Sequence, residues 1–219
     1  SHCHAAELTT HADGSFSAYA LDQYDTYLYG EISATRDGKP LQGEWEVCGN
    51  GGPEDTDAGF ECFSSCGSLQ STKGIMAGEL RFPGPLAGGA RGHLQIEVRV
   101  GLSFVSADVA KQNLQNSAAY LANSSFDQAK ESTDAVWCDA LSYIDIATSN
   151  AELDVALASS LYRTQLSPAI YTEFGGVYTG MDHAVHNVVE ERAQYEAAAG
   201  SAEGEFSSDF SLWDTFRTQ

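Results

Sequence analysis

Positive charge is scarce in this sequence: eleven Lys and Arg stand against thirty-one Asp and Glu, for a net charge of −20. Binding a phosphate backbone requires clustered cations that displace counterions. Here they are few and scattered, which argues against nucleic acid. No apolar run reaches the ~20 residues of a membrane-crossing helix, so no membrane span is expected. Phosphate-binding loop, dinucleotide fingerprint and serine-hydrolase elbow are all missing. None of the five cysteines, Cys3, Cys48, Cys62, Cys66 and Cys138, sits in a CxxC pair, the spacing that most often marks zinc or redox chemistry.

Three of those cysteines do fall close together. Cys48, Cys62 and Cys66 bracket an acidic, Gly-rich stretch that can bury little core, and a disulfide among them would hold such a loop in an oxidising compartment. The odd total leaves at least one thiol free or bonded outside the chain. Asn123-Ser124-Ser125 is a glycosylation sequon. Together these features point to a secreted or cell-surface protein.

Residues 1 to 105 read as strands. Phe16, Ala18 and Ala20 alternate with polar neighbours, Thr26 to Thr35 is rich in Tyr, Leu and Ile, and Glu44 to Cys48 holds Trp45 and Val47. The clearest strand is His93 to Val105: Leu94, Ile96, Val98, Val100, Leu102 and Phe104 recur at a period of two, the pattern of one buried face. Gly and Pro punctuation between these runs fits an antiparallel sandwich with long loops. At Ser106 the period changes. Ser106 can cap a helix carrying Ala110, Leu114, Ala118 and Leu121, closed at the sequon. A second helix carries Ala129, Thr133, Val136, Trp137, Ala140 and Leu141. Ser149 with Glu152 forms a capping box for a third, lined by Leu153, Leu157 and Leu161 and ended by Pro168. Ile170 to Phe174 and Val177 to Gly180 read as a hairpin around Gly175-Gly176. Sheet first and helices afterwards argues for layers of separate type, an α+β chain.

Several residues invite a chemical reading. His183 and His186 are spaced by three, with no evident third ligand, so a polar loop outweighs a metal site; His2-Cys3-His4 is treated the same way. The last dozen residues, Ser208 to Gln219, set Phe210, Leu212, Trp213 and Phe216 among Asp214, Arg217 and hydroxyls. An aromatic face can stack on a sugar ring while carboxylate and guanidinium bind its hydroxyls. Equally, Trp213 and Phe216 could be helix core with Asp214 and Arg217 a structural ion pair three residues apart. Asp209, five residues before Asp214, does not share a helical face with it, and the two are not assigned as an acid–base pair. A segment this rich in core-type residues makes a poor chain end, so a piece of a longer protein is expected.

The segment Ser208-Asp209-Phe210-Ser211-Leu212-Trp213-Asp214-Thr215-Phe216-Arg217-Thr218 resembles the most recognisable block of glycoside hydrolase family 92, the calcium-dependent, exo-acting alpha-mannosidases. Other stretches follow that family's order: Arg99 to Ser106, Asn113-Leu114, Ala135-Val136-Trp137, Leu161 to Thr164, and Gly176 to Asp182. Two departures stand out. Cys138 takes the place of the usual Asn, and Asp182 to Glu205 is longer than expected and reads as a flexible insertion rather than a short amphipathic helix. The resemblance implies an N-terminal antiparallel β-sandwich (1–105), a connecting helix (106–128) and the first helices of an (alpha/alpha)6 barrel (129–219), incomplete in this chain. The apolar stripes of those helices would need partners, either the remainder of the protein or a companion chain. It further implies inverting hydrolysis of terminal alpha-linked mannose on glycans. Trp213, Asp214 and Arg217 would bind the sugar, and Tyr162 and Arg163 would be structural, with the Arg tying down a carboxylate or carbonyl. Catalytic acid, catalytic base and most Ca2+ ligands would lie outside these residues. The competing expectation is a non-catalytic structural or glycan-binding module of an extracellular assembly.

Overall fold

The computed structural model describes residues 5–21, 25–49, 61–64, 68–71, 76–84, 93–144, 148–166, 168–195 and 205–207. The chain divides into two compact units, residues 1–120 and 121–219.

The first unit is mostly antiparallel sheet. Its strands are β1 (Ala5–Thr10), β2 (Ser15–Leu21), β3 (Asp25–Arg36), β4 (Lys39–Leu41), β5 (Glu44–Gly49), β6 (Glu61–Ser64), β7 (Ser68–Ser71), β8 (Met76–Arg81) and β9 (Leu94–Ser103), followed by helix α1 (Ala107–Gln115). One sheet runs β4-β3-β2-β1-β7, with β9 on the other edge of β3; a second runs β6-β5-β8. The register pairs Leu102 with Leu28, Val100 with Gly30, Val98 with Ile32 and Ile96 with Ala34. Directly opposed residues share a face, so these form one apolar surface, continued by Phe16 opposite Gly30 on β2. The second sheet reaches that surface where the Trp45 ring stands edge-on to Phe16, centroids 6.1 Å apart.

The opposite face carries α1. Ala110 and Leu114 bury against Tyr29, with Tyr27 and Tyr120 at the margin. The helix comes so close at Gly101 that an added Cβ would overlap the Ala110 carbonyl oxygen and crowd Leu114; only glycine permits this contact. Ser106 caps α1 as expected, its hydroxyl accepting the Val109 N–H at 3.2 Å. Buried Ser103 fixes the entry to the helix by accepting the N–H groups of Val105 and Ser106. Glu31 accepts bonds from Tyr29, Gln115 and Tyr120.

Two sequence expectations fail here. The alternation along β9 predicted a buried apolar face, but Leu94, Ile96, Val98, Val100 and Leu102 are 43 to 56% exposed, because α1 docks on the other face, over Gly101. The α1 helix also stops short of Ala118 and Leu121. Asn116 bonds the Gln112 carbonyl through its side chain, and the Ser117 hydroxyl accepts from Tyr120 N–H, starting a separate turn, α2 (Ala118–Leu121). Such side chains compete with the helical ladder for backbone partners.

The second unit contains α3 (Phe126–Leu141), α4 (Ala151–Thr164), β10 (Val177–Thr179), β11 (Val185–Asn187) and α5 (Val188–Tyr195). Ser125 and Gln128 form a capping box at the start of α3. Helix α4 is capped by Asn150, not Ser149: its side chain accepts from the Glu152 and Leu153 N–H groups, while Asp154 rather than Glu152 reaches back, to Thr148. The two helices touch through Trp137 and Tyr162, ring centroids 4.8 Å apart. Neither buries a residue, and Phe126, Val136 and Val155 lie at least two-thirds exposed. The expected hairpin around Gly175-Gly176 is replaced by another. Residues Phe174–Gly176 make a 3-10 turn with Gly175 at φ +81°, and β10 pairs forward with β11 across Gly180 to Ala184.

The β9 face alone offers on the order of 5 kcal/mol to any cover that removes its half-exposed side chains from water. The isolated 219-residue chain is therefore expected to bind a hydrophobic dye such as ANS strongly. Ile96→Lys with Val98→Lys should cut that signal by half or more with little change in secondary structure by circular dichroism; an unchanged signal would mean the face is already covered.

Candidate functional site

A connected polar cluster in the second unit is built on the β10–β11 hairpin. Its turn is made tight by Gly180, whose N–H donates to Ala184 O, and by His183 in the left-handed region at φ +61°. A side chain at Gly180 would strike Asp182 Oδ1 and the His186 ring, so glycine here is what lets the two meet. His186 Nε2 lies 3.0 Å from both carboxylate oxygens of Asp182, and Nδ1 lies 2.9 Å from Glu191 Oε1 on α5. The other Glu191 oxygen accepts the Tyr178 hydroxyl at 2.8 Å. Tyr178 is buried and stacks on the His186 ring on one hand and on Phe206 on the other, at centroid distances of 5.3 and 4.3 Å. Asn187 caps α5 by accepting the Val189 N–H.

The electrostatics follow from that geometry. The Asp182 hydrogen bond, with the charges of Asp182 and Glu191, raises the His186 pKa above its ordinary value, and the same bond with the Ala184 N–H lowers that of Asp182. A cleft of about 430 Å³ opens here, lined by Val177, Val185, His186, Asn187, Glu190 and Glu191. In the first unit a second cleft, about 330 Å³, runs past Glu7, Thr9, Ser17, Tyr19 and Tyr27.

The expectation of a flexible insertion after Asp182 is corrected as far as Tyr195: the segment forms β11 and α5. Sequence periodicity missed it because its order rests on polar bonds to His186, Glu191 and Asn187 rather than on an apolar stripe. The spacing of His183 and His186 gave no hint of it either. Asp182 and Glu191, four before and five after His186, were the only signal. His183 is exposed and does not join the cluster.

Trp213, Asp214, Arg217 and Asp209 lie outside the described residues, as do Cys66 and the His2-Cys3-His4 stretch. Cys48 and Cys62 are directly opposed in the β5–β6 register, their side chains being outside the description. Cys138 is a free, exposed thiol on α3. Asn123 is exposed at φ +48°, between α2 and α3, and Ser125 of its sequon caps α3. Arg163, expected to tie down a carboxylate or carbonyl, is exposed and makes no such bond among the described residues. No group of three His, Cys, Asp or Glu among the described residues could hold a metal ion, and no helix there is long and apolar enough to cross a membrane.

The model of the glycosyl hydrolase family 92 catalytic domain matches residues 109–219, just over half of the chain. The solved structure of a family GH92 alpha-mannosidase from Bacteroides thetaiotaomicron matches with a TM-score of 0.64 at 19% identity, covering 97% of this chain and 25% of that one. The same mannosidase in complex with mannoimidazole gives a TM-score of 0.64 and 19% identity, covering 97% and 24%. The chain thus spans about a quarter of the length of the solved structures it resembles. Among curated proteins none matches it. A catalytic-domain match that begins within α1 and takes in both the β10–β11 hairpin and the closing aromatic block, on a shared mixed α/β fold, leads to one assignment: the chain belongs to glycosyl hydrolase family 92.

Proposed function

We propose that these residues form part of a secreted alpha-mannosidase that removes terminal alpha-linked mannose from glycans with inversion. The observation that carries this reading is the catalytic-domain match over residues 109–219, which includes the whole Trp213–Arg217 block. In this reading the first unit is part of an antiparallel β-sandwich (1–105), residues 106–128 connect, and α3 and α4 within 129–219 are the first helices of an (alpha/alpha)6 barrel. The exposed apolar surfaces of β9, α3 and α4 support it, since each calls for a neighbour supplied by the remainder of the protein or by a companion chain.

Trp213 supplies an aromatic platform for the C–H face of the sugar, Asp214 accepts bonds from its hydroxyls, and Arg217 donates to them or orients Asp214. Inversion needs an acid that protonates the leaving oxygen and a base that activates water on the opposite side of the ring; both are assigned to residues outside this chain. Calcium, implied by the family, would polarise and hold sugar hydroxyls when bound. The described residues gather no donor set that fits it, and the family resemblance assigns most of its ligands to residues outside this chain.

The full-length protein is expected to release mannose from an alpha-linked mannobioside, as the β anomer first by NMR. Chelator should abolish the activity and calcium restore it. Asp214→Asn should lower kcat/KM about 10- to 100-fold, the range for losing hydrogen bonds to a charged group, and Trp213→Ala by a similar factor; wild-type activity unaffected by both substitutions would remove these residues from the site. Directly opposed positions across an antiparallel pair lie within disulfide reach, so peptide mapping of the secreted protein without reduction should join Cys48 to Cys62 and leave Cys138 open to alkylation. Enzymatic deglycosylation should reduce the mass and convert Asn123 to Asp.

A further inference from the structure

The first-unit cleft beside α1 takes no part in the function proposed above. We propose that it is a second glycan site, a shelf on the sheet that binds a neutral hexose unit of a polysaccharide through Tyr19 and Tyr27. The inference takes from the mannosidase reading only its first ligand, alpha-linked mannan; the site itself stands on the geometry of the first unit.

Strand register gathers the residues. Glu7 on β1 is opposed to Tyr19 on β2, and Tyr19 to Tyr27 on β3, so the three form one row across the sheet. Thr9 and Ser17, opposed two residues further along, form the next row on the same face. Ser17 is in turn opposed to Tyr29, which packs under α1, so this is the face on which the helix docks. Ala107, the first residue of α1, forms part of the wall, and the space is about 330 Å³, at the lower end of small-ligand sites. Glu7, Thr9, Ser17, Tyr19 and Tyr27 are all half-buried. The two tyrosine rings lie with centroids 4.9 Å apart, tilted by 32°. Asp25 Oδ1 accepts the Tyr19 hydroxyl at 2.6 Å and so fixes that ring. Burial, with the Asp25 charge, holds the Tyr27 pKa above its ordinary 10.0, which keeps its hydroxyl protonated and able to donate.

These groups select among ligands. No Lys or Arg lines the cleft among the described residues, and Lys111 of α1 stands over the Tyr29 ring instead, 5.1 Å from its centroid. A phosphate, sulfate or carboxylate would therefore meet Glu7 with no compensating cation. An apolar ligand would strip water from Glu7, Thr9 and Ser17 and return no hydrogen bond, a loss that for a carboxylate outweighs contact with two rings. An alkylammonium would suit the carboxylate and the rings but bring no acceptor for the hydroxyls of Thr9, Ser17 and Tyr27. A neutral hexose answers every group. Its C–H face lies against a tyrosine ring, its hydroxyls donate to Glu7, and its oxygens accept from Thr9, Ser17 and Tyr27. A carboxylate can accept several bonds at once, which suits adjacent hydroxyls of one ring. A polymer presents many such units to the shelf and raises the effective concentration of an individually weak contact.

The test is affinity gel electrophoresis of the full-length protein through soluble, unphosphorylated alpha-mannan, with saturating mannoimidazole present to fill the sugar site of the proposed function and stop hydrolysis. Mannan should still retard the protein. Tyr27→Ala should weaken that retention about tenfold or more, as loss of an aromatic platform, and Tyr19→Phe, which keeps the ring and loses the bond to Asp25, less than about threefold. In both variants kcat/KM on 4-nitrophenyl alpha-mannoside should stay within about twofold of wild type, which reports intact folding and separates the shelf from catalysis. No retention of the wild type, equal retention of Tyr27→Ala, or release by choline rather than by mannose would overturn the proposal. If the wild-type protein acts on no alpha-mannoside, the functional reading has failed, and the shelf is judged alone. Neutral soluble glucan and galactan then join mannan in the gel, with folding followed by circular dichroism. Retention by any of them that Tyr27→Ala removes sustains the site; retention by none, or retention that Tyr27→Ala leaves intact, discards it.

Discussion

Apolar surface that these residues cannot bury among themselves is the constraint on which the rest of the structure depends. Side chains on β9 stand in water because α1 has taken the opposite face, and α3 and α4 meet through one aromatic pair without enclosing a core. Among the described residues, the buried cluster beneath α1 is Tyr29 with Ala110 and Leu114. Burial this sparse leaves little of the favourable term that must offset conformational entropy. The solved family members, four times as long, have the additional chain to provide such packing.

Polar bonding does the ordering that burial does not. Glu31 collects Tyr29, Gln115 and Tyr120 and so fixes α1 and α2 on the sheet. His186 plays the corresponding part in the second unit, with carboxylates on both sides. In each case a glycine admits the close contact, Gly101 under α1 and Gly180 beneath the Asp182–His186 pair.

Much of the local structure was legible in the sequence and most of the tertiary structure was not. The alternation from Leu94 to Leu102 gave the strand, and Ser106 gave the start of α1, since both signals are local. Which face of β9 is covered depends on Gly101, whose meaning appears only once the helix is docked. The end of α1 turned on side chains of Asn116 and Ser117 that bond the backbone, and the cap of α4 moved one residue because Asn150 outcompetes Ser149. Gly175-Gly176 looked like a hairpin turn because paired glycines supply positive φ; they do so here within a 3-10 turn, and the strands pair one turn later. The family itself was legible in short blocks of sequence from Arg99 onward, and the catalytic-domain match bears that recognition out. The order between Asp182 and Tyr195 escaped because a charge cluster carries no periodicity.

A crystal structure of the full-length protein with mannoimidazole bound would show directly whether Trp213 and Asp214 hold the sugar. The expected result is the sugar mimic resting on the Trp213 ring, Asp214 within hydrogen-bonding distance of its hydroxyls, and further helices closing over α3 and α4. A structure in which Trp213 and Asp214 sit in a sealed core, remote from the bound ligand, would contradict it.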